Sequence, residues 1–90
     1  MKINIIGISP QTQKKIYEKH SILAEEIRLI LKDDKPIFKK AGGNQIIALG
    51  LYNRYLTIFF KYSSKRKQAI ITTAYPSDKK HIKYYKRIIK

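Results

Sequence analysis

The chain has 90 residues, with 20 Lys and Arg against six Asp and Glu, and its formal net charge is +14. This length allows one hydrophobic core and predicts a single domain over residues 1–90. The lack of cysteine excludes disulfides and thiolate metal sites. The sequence has no signal-peptide pattern and no apolar run of roughly 18 residues. We therefore expect a cytoplasmic protein without a membrane span.

The first third of the chain predicts one strand and two helices. Lys2–Ile8 is a short apolar strand, and Ser9-Pro10 then starts a helix over Pro10–Lys19, with Ser as N-cap and Pro at the first helical position. A second helix covers about Leu23–Lys32 and ends at Asp33–Pro36. In the first helix, the helical spacing predicts that one inward stripe consists of Gln13, Ile16, Tyr17 and His20. In the second helix, it predicts that the inward residues are Leu23, Ile27, Ile30 and Leu31 and that the outward residues are Glu25, Glu26 and Arg28.

The middle of the chain predicts a meander of strands. Ile37–Ala41 is followed by a Gly-Gly-Asn hairpin turn and then by strands over Gln45–Leu51, Tyr55–Tyr62 and Gln68–Tyr75. In the strand that begins at Tyr55, alternate residues belong to opposite faces, so we expect one buried face and one partly wet face. The buried row is Leu56, Ile58 and Phe60; the other row is Tyr55, Thr57, Phe59 and Lys61.

A last helix follows the meander and runs to the C-terminus. Pro76 stops the strand, and Ser77 or Asp78 caps the helix. Its apolar stripe is Ile82, Tyr85, Ile88 and Ile89, and another face carries Lys79, Lys83, Lys86 and Lys90. The predicted order is β-α-α-β-β-β-β-α. We therefore expect an α+β fold, an antiparallel sheet with the helices packed on one face.

The positive charge is concentrated in the second half of the chain. Residues 1–50 hold nine Lys and Arg against five Asp and Glu, a net +4, whereas residues 51–90 hold eleven against Asp78 alone, a net +10. Such a surface attracts nucleic acid, an anionic membrane or an acidic protein. The alternative is that lysine only keeps a small protein in solution.

If the partner is RNA, the residue types allow its cleavage without a metal. Attack by a 2′-OH group needs a base, an acid and a cation to hold the phosphorane charge, and carboxylates are too scarce after Asp34 for a two-metal site. His20, His81 and tyrosines remain as proton carriers. Other roles stay open: His20 as a helix C-cap or core residue, His81 as a surface histidine, and tyrosines as base-stacking groups.

Three segments together resemble a known family. They are K-H-S-I-L-A-E-E-I at Lys19–Ile27, N-R-Y-L-T-I-F-F at Asn53–Phe60, and I-I-T-T-A-Y-P at Ile70–Pro76. In order and spacing they resemble the BrnT-like branch of the RelE/ParE superfamily, the toxins of type II toxin–antitoxin systems. Tyr75 stands where that family has an arginine, and A-G-G-N-Q at Ala41–Gln45 replaces a segment rich in Asp, His and Glu.

The resemblance implies a toxin that inhibits translation as a metal-independent endoribonuclease, without a cofactor. Its implied partners are an acidic antitoxin and RNA, either free or as ribosome-bound mRNA. The candidate catalytic residues are His20, Tyr75 and His81. The candidate nucleic-acid-binding residues are Arg54, Lys61, Lys65, Arg66, Lys83, Tyr84, Lys86 and Arg87. Two alternatives remain: a non-catalytic RNA- or DNA-binding module of this fold, and a ParE-like topoisomerase inhibitor.

Overall fold

A computed structural model describes residues 1–32 and 36–89 of the chain, so the predicted turn at Asp33–Lys35 and the position of Lys90 lie outside the described residues. The predicted order of elements is confirmed. The elements are β1 (Ile5–Gly7), α1 (Pro10–His20), α2 (Ala24–Lys32), β2 (Ile37–Lys40), β3 (Gln45–Leu51), β4 (Tyr55–Ser63), β5 (Gln68–Pro76) and α3 (Lys79–Ile89). Ser9 caps α1 as predicted, because its hydroxyl accepts a hydrogen bond from the Thr12 N–H at 3.1 Å.

The five strands form one mixed sheet in the order β1-β5-β4-β3-β2. Strands β2 to β5 are antiparallel neighbours, as hairpin connections require. The prediction of a purely antiparallel sheet is wrong at β1, which pairs parallel with β5 and aligns Ile5 with Gln68 and Gly7 with Ile70. No hairpin fixes the direction of β1, because α1, α2 and three strands separate it from its partner.

The core lies between the sheet and the first two helices. Leu56, Ile58 and Phe60 of β4 are fully buried, and they belong to one cluster with residues of α1 and α2. The helical and interhelical members of that cluster are Ile16, Ile22, Ile27, Ile30 and Leu31. The predicted buried row of β4 is therefore confirmed, and it forms the sheet side of the core.

Helix α3 covers the opposite face of the sheet. Its Tyr85 ring packs edge-on against Tyr55, with centroids 5.7 Å apart, and its His81 contacts Thr57. The prediction of helices on one face only is therefore wrong. The reason is that the second row of β4 is also largely apolar: Thr57 is fully buried and Phe59 is half-buried, so this face too needs a cover.

Several residues predicted to face inward from the helices are exposed. Tyr17, Leu23 and Ile88 have 54%, 52% and 55% of their surface accessible. Ile22, in the turn between α1 and α2, is buried and belongs to the core cluster. Glu26, predicted to face outward, is half-buried. The side chain of Ile89 lies outside the described part of the chain. None of the helices in the described residues is long and apolar enough to span a membrane.

The close packing of α2 on β3 yields a stability prediction. A methyl group added at Gly50 would meet the side chain of Ile30, so Gly50→Ala forces two packed elements apart. We expect it to lower the free energy of unfolding by about 1–3 kcal/mol, measured by urea denaturation. Gly42→Ala is the control, because nothing lies within 4 Å of its added methyl group, and it should change stability by less than about 0.5 kcal/mol. Equal effects of the two substitutions would contradict this packing argument.

Candidate functional site

Tyr75 lies near the end of β5, on the face of the sheet that α3 covers. It pairs with Thr57 of β4, and its half-buried ring contacts two other rings. The centroid distances are 5.8 Å to Phe59 and 6.3 Å to His20 at the end of α1. Burial raises the pKa of the Tyr75 phenol, and the nearby Asp78 carboxylate raises it further. Tyr75 is therefore protonated at neutral pH and donates rather than accepts a proton.

His81 lies in the first turn of α3 and is held by three contacts. Its backbone N–H donates to Asp78 Oδ1 at 2.8 Å, which makes Asp78 the predicted cap of α3. Its ring Nδ1 lies 3.4 Å from Asp78 Oδ1 and 3.4 Å from Thr57 Oγ1, and Thr57 Oγ1 is also 2.7 Å from Ser77 Oγ. A proton on Nδ1 can be donated to the carboxylate, and in the neutral ring this leaves Nε2 as a proton acceptor.

The three candidate catalytic residues thus come to one end of the sheet, although they are far apart in sequence. Thr57 is the link, because it pairs with Tyr75 across the sheet and contacts His81 through its hydroxyl. We call His20, Tyr75 and His81 the Tyr75 site. His20 is not the C-cap of α1, since that position is Ser21, in a left-handed conformation, whose N–H bonds to the Tyr17 carbonyl.

A narrow cleft opens beside the Tyr75 site, between α1 and β5. Its volume is about 140 Å³. We call it the α1–β5 cleft; the residues that line it are Thr12, Lys15, Ile16, Lys19, His20, Thr72 and Thr73. His20 belongs both to this cleft and to the Tyr75 site. Neither Lys15 nor Lys19 was predicted as a site residue, although Lys19 begins one of the three segments that resemble the family, because their spacing is that of lysines on a solvated helix.

Arg54, a candidate for binding nucleic acid, is engaged in internal contacts. Its guanidinium donates to both carboxylate oxygens of Glu26, at 3.3 and 3.1 Å, and to the Ser21 carbonyl at 2.7 Å. It also approaches the His20 carbonyl at 3.5 Å. This geometry ties the turn between α1 and α2 to the start of β4. It favours a structural role, in which Arg54 positions the backbone of His20.

The cations of the β4–β5 hairpin lie far from the Tyr75 site. Lys65 and Arg66 are exposed in the turn after Ser63, which is six positions from Thr57 along β4. At about 3.3 Å per residue this separation is roughly 20 Å. Lys61 is exposed on β4 between the two regions. These residues can contact a long polymer but cannot touch the same phosphate as His81.

Helix α3 presents a separate group of basic and aromatic side chains. Lys39 Nζ of β2 lies 4.9 Å from the centre of the Tyr84 ring, and the Arg87 guanidinium lies 5.7 Å from it. Lys86 Nζ lies 5.7 Å from the centre of the Tyr55 ring, and Lys83 is exposed. These cation–π contacts hold the basic side chains near the rings while leaving their charge available.

Within residues 1–32 and 36–89, no three His, Asp or Glu side chains come together as a group that could hold a metal ion. The comparisons with known proteins add no identity: no family model matches the chain, and no curated protein matches it. The chemistry of the site therefore has to be argued from its own geometry.

The Arg54–Glu26 pair yields a prediction about pH. Burial by itself raises the pKa of Glu26, but the hydrogen bond from the Leu23 N–H and the Arg54 guanidinium outweigh it and lower that pKa below its ordinary value. We expect Glu26→Gln to lower the free energy of unfolding at pH 7 by about 1–2 kcal/mol. A lowered native pKa stabilises the fold above the ordinary glutamate pKa of about 4.3, and this stabilisation is lost as the pH falls through the native value. The two proteins should therefore converge in stability on acidification.

Urea unfolding at several pH values measures this difference, and Glu25→Gln is the matched control. Glu25 is the exposed neighbour on the same helix turn. Its substitution should change stability by less than about 0.5 kcal/mol at every pH. If the difference in the free energy of unfolding between wild type and Glu26→Gln does not decrease at acidic pH, the lowered pKa of Glu26 is contradicted.

Proposed function

We propose that the chain is a metal-independent endoribonuclease that acts on RNA in the cytoplasm. The observation that carries the proposal is the meeting of two histidines and a protonated tyrosine at one end of the sheet, beside a cleft with two lysines. Histidine and tyrosine are the proton carriers available for this chemistry, and lysine stabilises negative charge on phosphorus.

His81 acts as the general base in this proposal. Its Nε2 takes the proton of the 2′-OH as O2′ bonds to phosphorus, and the bond from phosphorus to O5′ breaks. The products are a 2′,3′-cyclic phosphate and a free 5′-OH. The Asp78 carboxylate, whose Oδ1 lies 3.4 Å from Nδ1, stabilises the imidazolium that forms.

Tyr75 acts as the general acid. Its raised pKa keeps the phenol protonated until negative charge develops on O5′, which then takes the proton. The His20 ring lies against Tyr75, and in its protonated form it stabilises the charge on the phosphorane. The proposal accounts for an aromatic residue, in place of the family arginine, at the position of Tyr75.

The toxin assignment belongs to the same proposal. Its supports are the three segments that resemble the BrnT-like branch of the RelE/ParE superfamily and the net +10 of residues 51–90. We propose a RelE/ParE-like fold, translation as the inhibited process, and an acidic antitoxin that neutralises the basic surface. Free RNA and ribosome-bound mRNA are both substrates that we propose for this site.

One observation favours a second function, RNA or DNA binding without cleavage. Tyr84 lies between Lys39 and Arg87, an arrangement that suits the stacking of a base beside a phosphate contact. In this alternative, the contacts of His81 with Asp78 and Thr57 serve only to stabilise the first turn of α3. Binding would then fall steeply with salt, while the bound RNA would stay intact.

Cleavage of a labelled RNA in EDTA separates the two functions. We expect wild type to form a 2′,3′-cyclic phosphate, and His81→Ala and Tyr75→Phe to cleave about 100-fold more slowly, because each loses one proton-transfer group. Tyr52→Phe is the matched control, since it removes a phenolic hydroxyl from an exposed tyrosine outside the site and outside the candidate nucleic-acid-binding residues, and it should cleave at the wild-type rate. Intact RNA with wild type, both with and without ribosomes, would rule out the nuclease and leave the binding module.

Expression in bacterial cells tests the toxin assignment. We expect wild type to stop growth and translation within one or two generations, and Tyr75→Phe, present at the same level, to allow growth. The measurements are optical density and incorporation of labelled amino acids. Arrest by both proteins alike would mean that the toxicity does not come from the Tyr75 site.

A further inference from the structure

The α1–β5 cleft lies beside an irregularity in β5. The pairing of β4 with β5 shifts register between Phe59 and Phe60, which leaves Thr72 as an extra residue on β5. In a regular strand Thr72 and Thr73 would point to opposite faces, but at a bulge both can face the same way. Thr72 and Thr73 both belong to the lining of the cleft.

The other wall is one side of α1, and it is cationic. Lys15 and Lys19 are four positions apart, so they are neighbours on the helix surface, where two like charges repel each other. Lys14 is paired with Glu18 at 3.9 Å, but neither Lys15 nor Lys19 forms an ion pair with any carboxylate in the described ranges. The cleft therefore holds two positive charges whose repulsion an anion would relieve.

Hydrogen-bond donors complete the lining. The Thr73 side chain is exposed and makes no hydrogen bond to the described residues, whereas the Thr72 hydroxyl is directed to Gln45 Oε1 at 2.7 Å and to the Phe59 carbonyl at 3.0 Å. The cleft, of about 140 Å³, is large enough to admit a phosphate group, and it is partly open to solvent.

We propose that the α1–β5 cleft binds one phosphate group of the RNA strand, next to the phosphate that is cleaved at the Tyr75 site. Lys15 and Lys19 neutralise this phosphate, and the Thr73 hydroxyl donates a hydrogen bond to it. His20, which borders both the cleft and Tyr75, fixes the spacing between the two phosphates. The identity of the strand as RNA rests on the proposed function, but phosphate binding in the cleft can be tested without cleavage.

The test uses an eight-nucleotide 2′-O-methyl oligouridine, in which the nucleophile is blocked, and measures binding by fluorescence anisotropy between 50 and 300 mM salt. The test variant is Lys15→Gln/Lys19→Gln. The matched control is Lys14→Gln/Lys32→Gln, which removes the same net charge from exposed lysines of α1 and α2 outside the cleft. Circular dichroism checks that both variants keep their helix content.

We expect the cleft variant to bind about tenfold more weakly at the lowest salt. The plot of the logarithm of the association constant against the logarithm of the salt concentration should also become less steep, by about 0.7, which is the value for one phosphate on a single strand. The control should lose less than about threefold and keep its slope. Thr73→Val, which keeps the shape of the side chain but removes the hydroxyl, should weaken binding a few-fold.

Equal losses in the two double variants would overturn the proposal, because they would mean that the strand responds only to total charge. No loss in either variant would overturn it as well. The result for cleavage is separate: if wild type binds the oligonucleotide in a Lys15- and Lys19-dependent way but leaves native RNA intact, the nuclease proposal fails and the phosphate site stands.

Discussion

Burial of β4 on both faces is the constraint from which the rest of the structure follows. On one face Leu56, Ile58 and Phe60 are fully enclosed by α1 and α2; on the other, Thr57 is enclosed as well. A strand buried on both faces needs helices on both faces, so α3 has to return across the sheet after β5. That return brings His81 against Thr57, and the pairing of Thr57 with Tyr75 then completes the site.

Total charge says little about which cations are available to a ligand. Arg54 is held by Glu26 and two carbonyl groups, and Lys14 is paired with Glu18. Lys15 and Lys19 have no such carboxylate partner in the described residues, although on sequence grounds they are ordinary helix lysines. The distribution of ion pairs, more than the net +14, therefore shows which cations are engaged within the fold.

Local patterns predicted the elements well, because strand alternation and capping act over a few residues. The limits of β3 agree with the prediction at both ends, and Ser9 and Asp78 cap the helices as expected. The meeting of His20, Tyr75 and His81 was anticipated only as a set of residue types, since their proximity depends on tertiary packing. The bulge at Thr72 and the internal contacts of Arg54 depend on register and long-range pairing, which periodicity does not encode.

The parallel pairing of β1 with β5 also bears on how the molecule assembles. It joins Ile5 to Gln68, so it closes a much longer loop than any hairpin of the meander, yet it contributes only three residue pairs. Closing so long a loop costs entropy, and contacts beside the three pairs offset it: the Asn4 N–H donates to the Lys67 carbonyl at 2.7 Å, and the Tyr62 hydroxyl donates to the Lys2 carbonyl at 2.6 Å. By pairing with residues 68–70, β1 also covers the outer backbone edge of β5, whose N–H and C=O groups would otherwise be open to another strand.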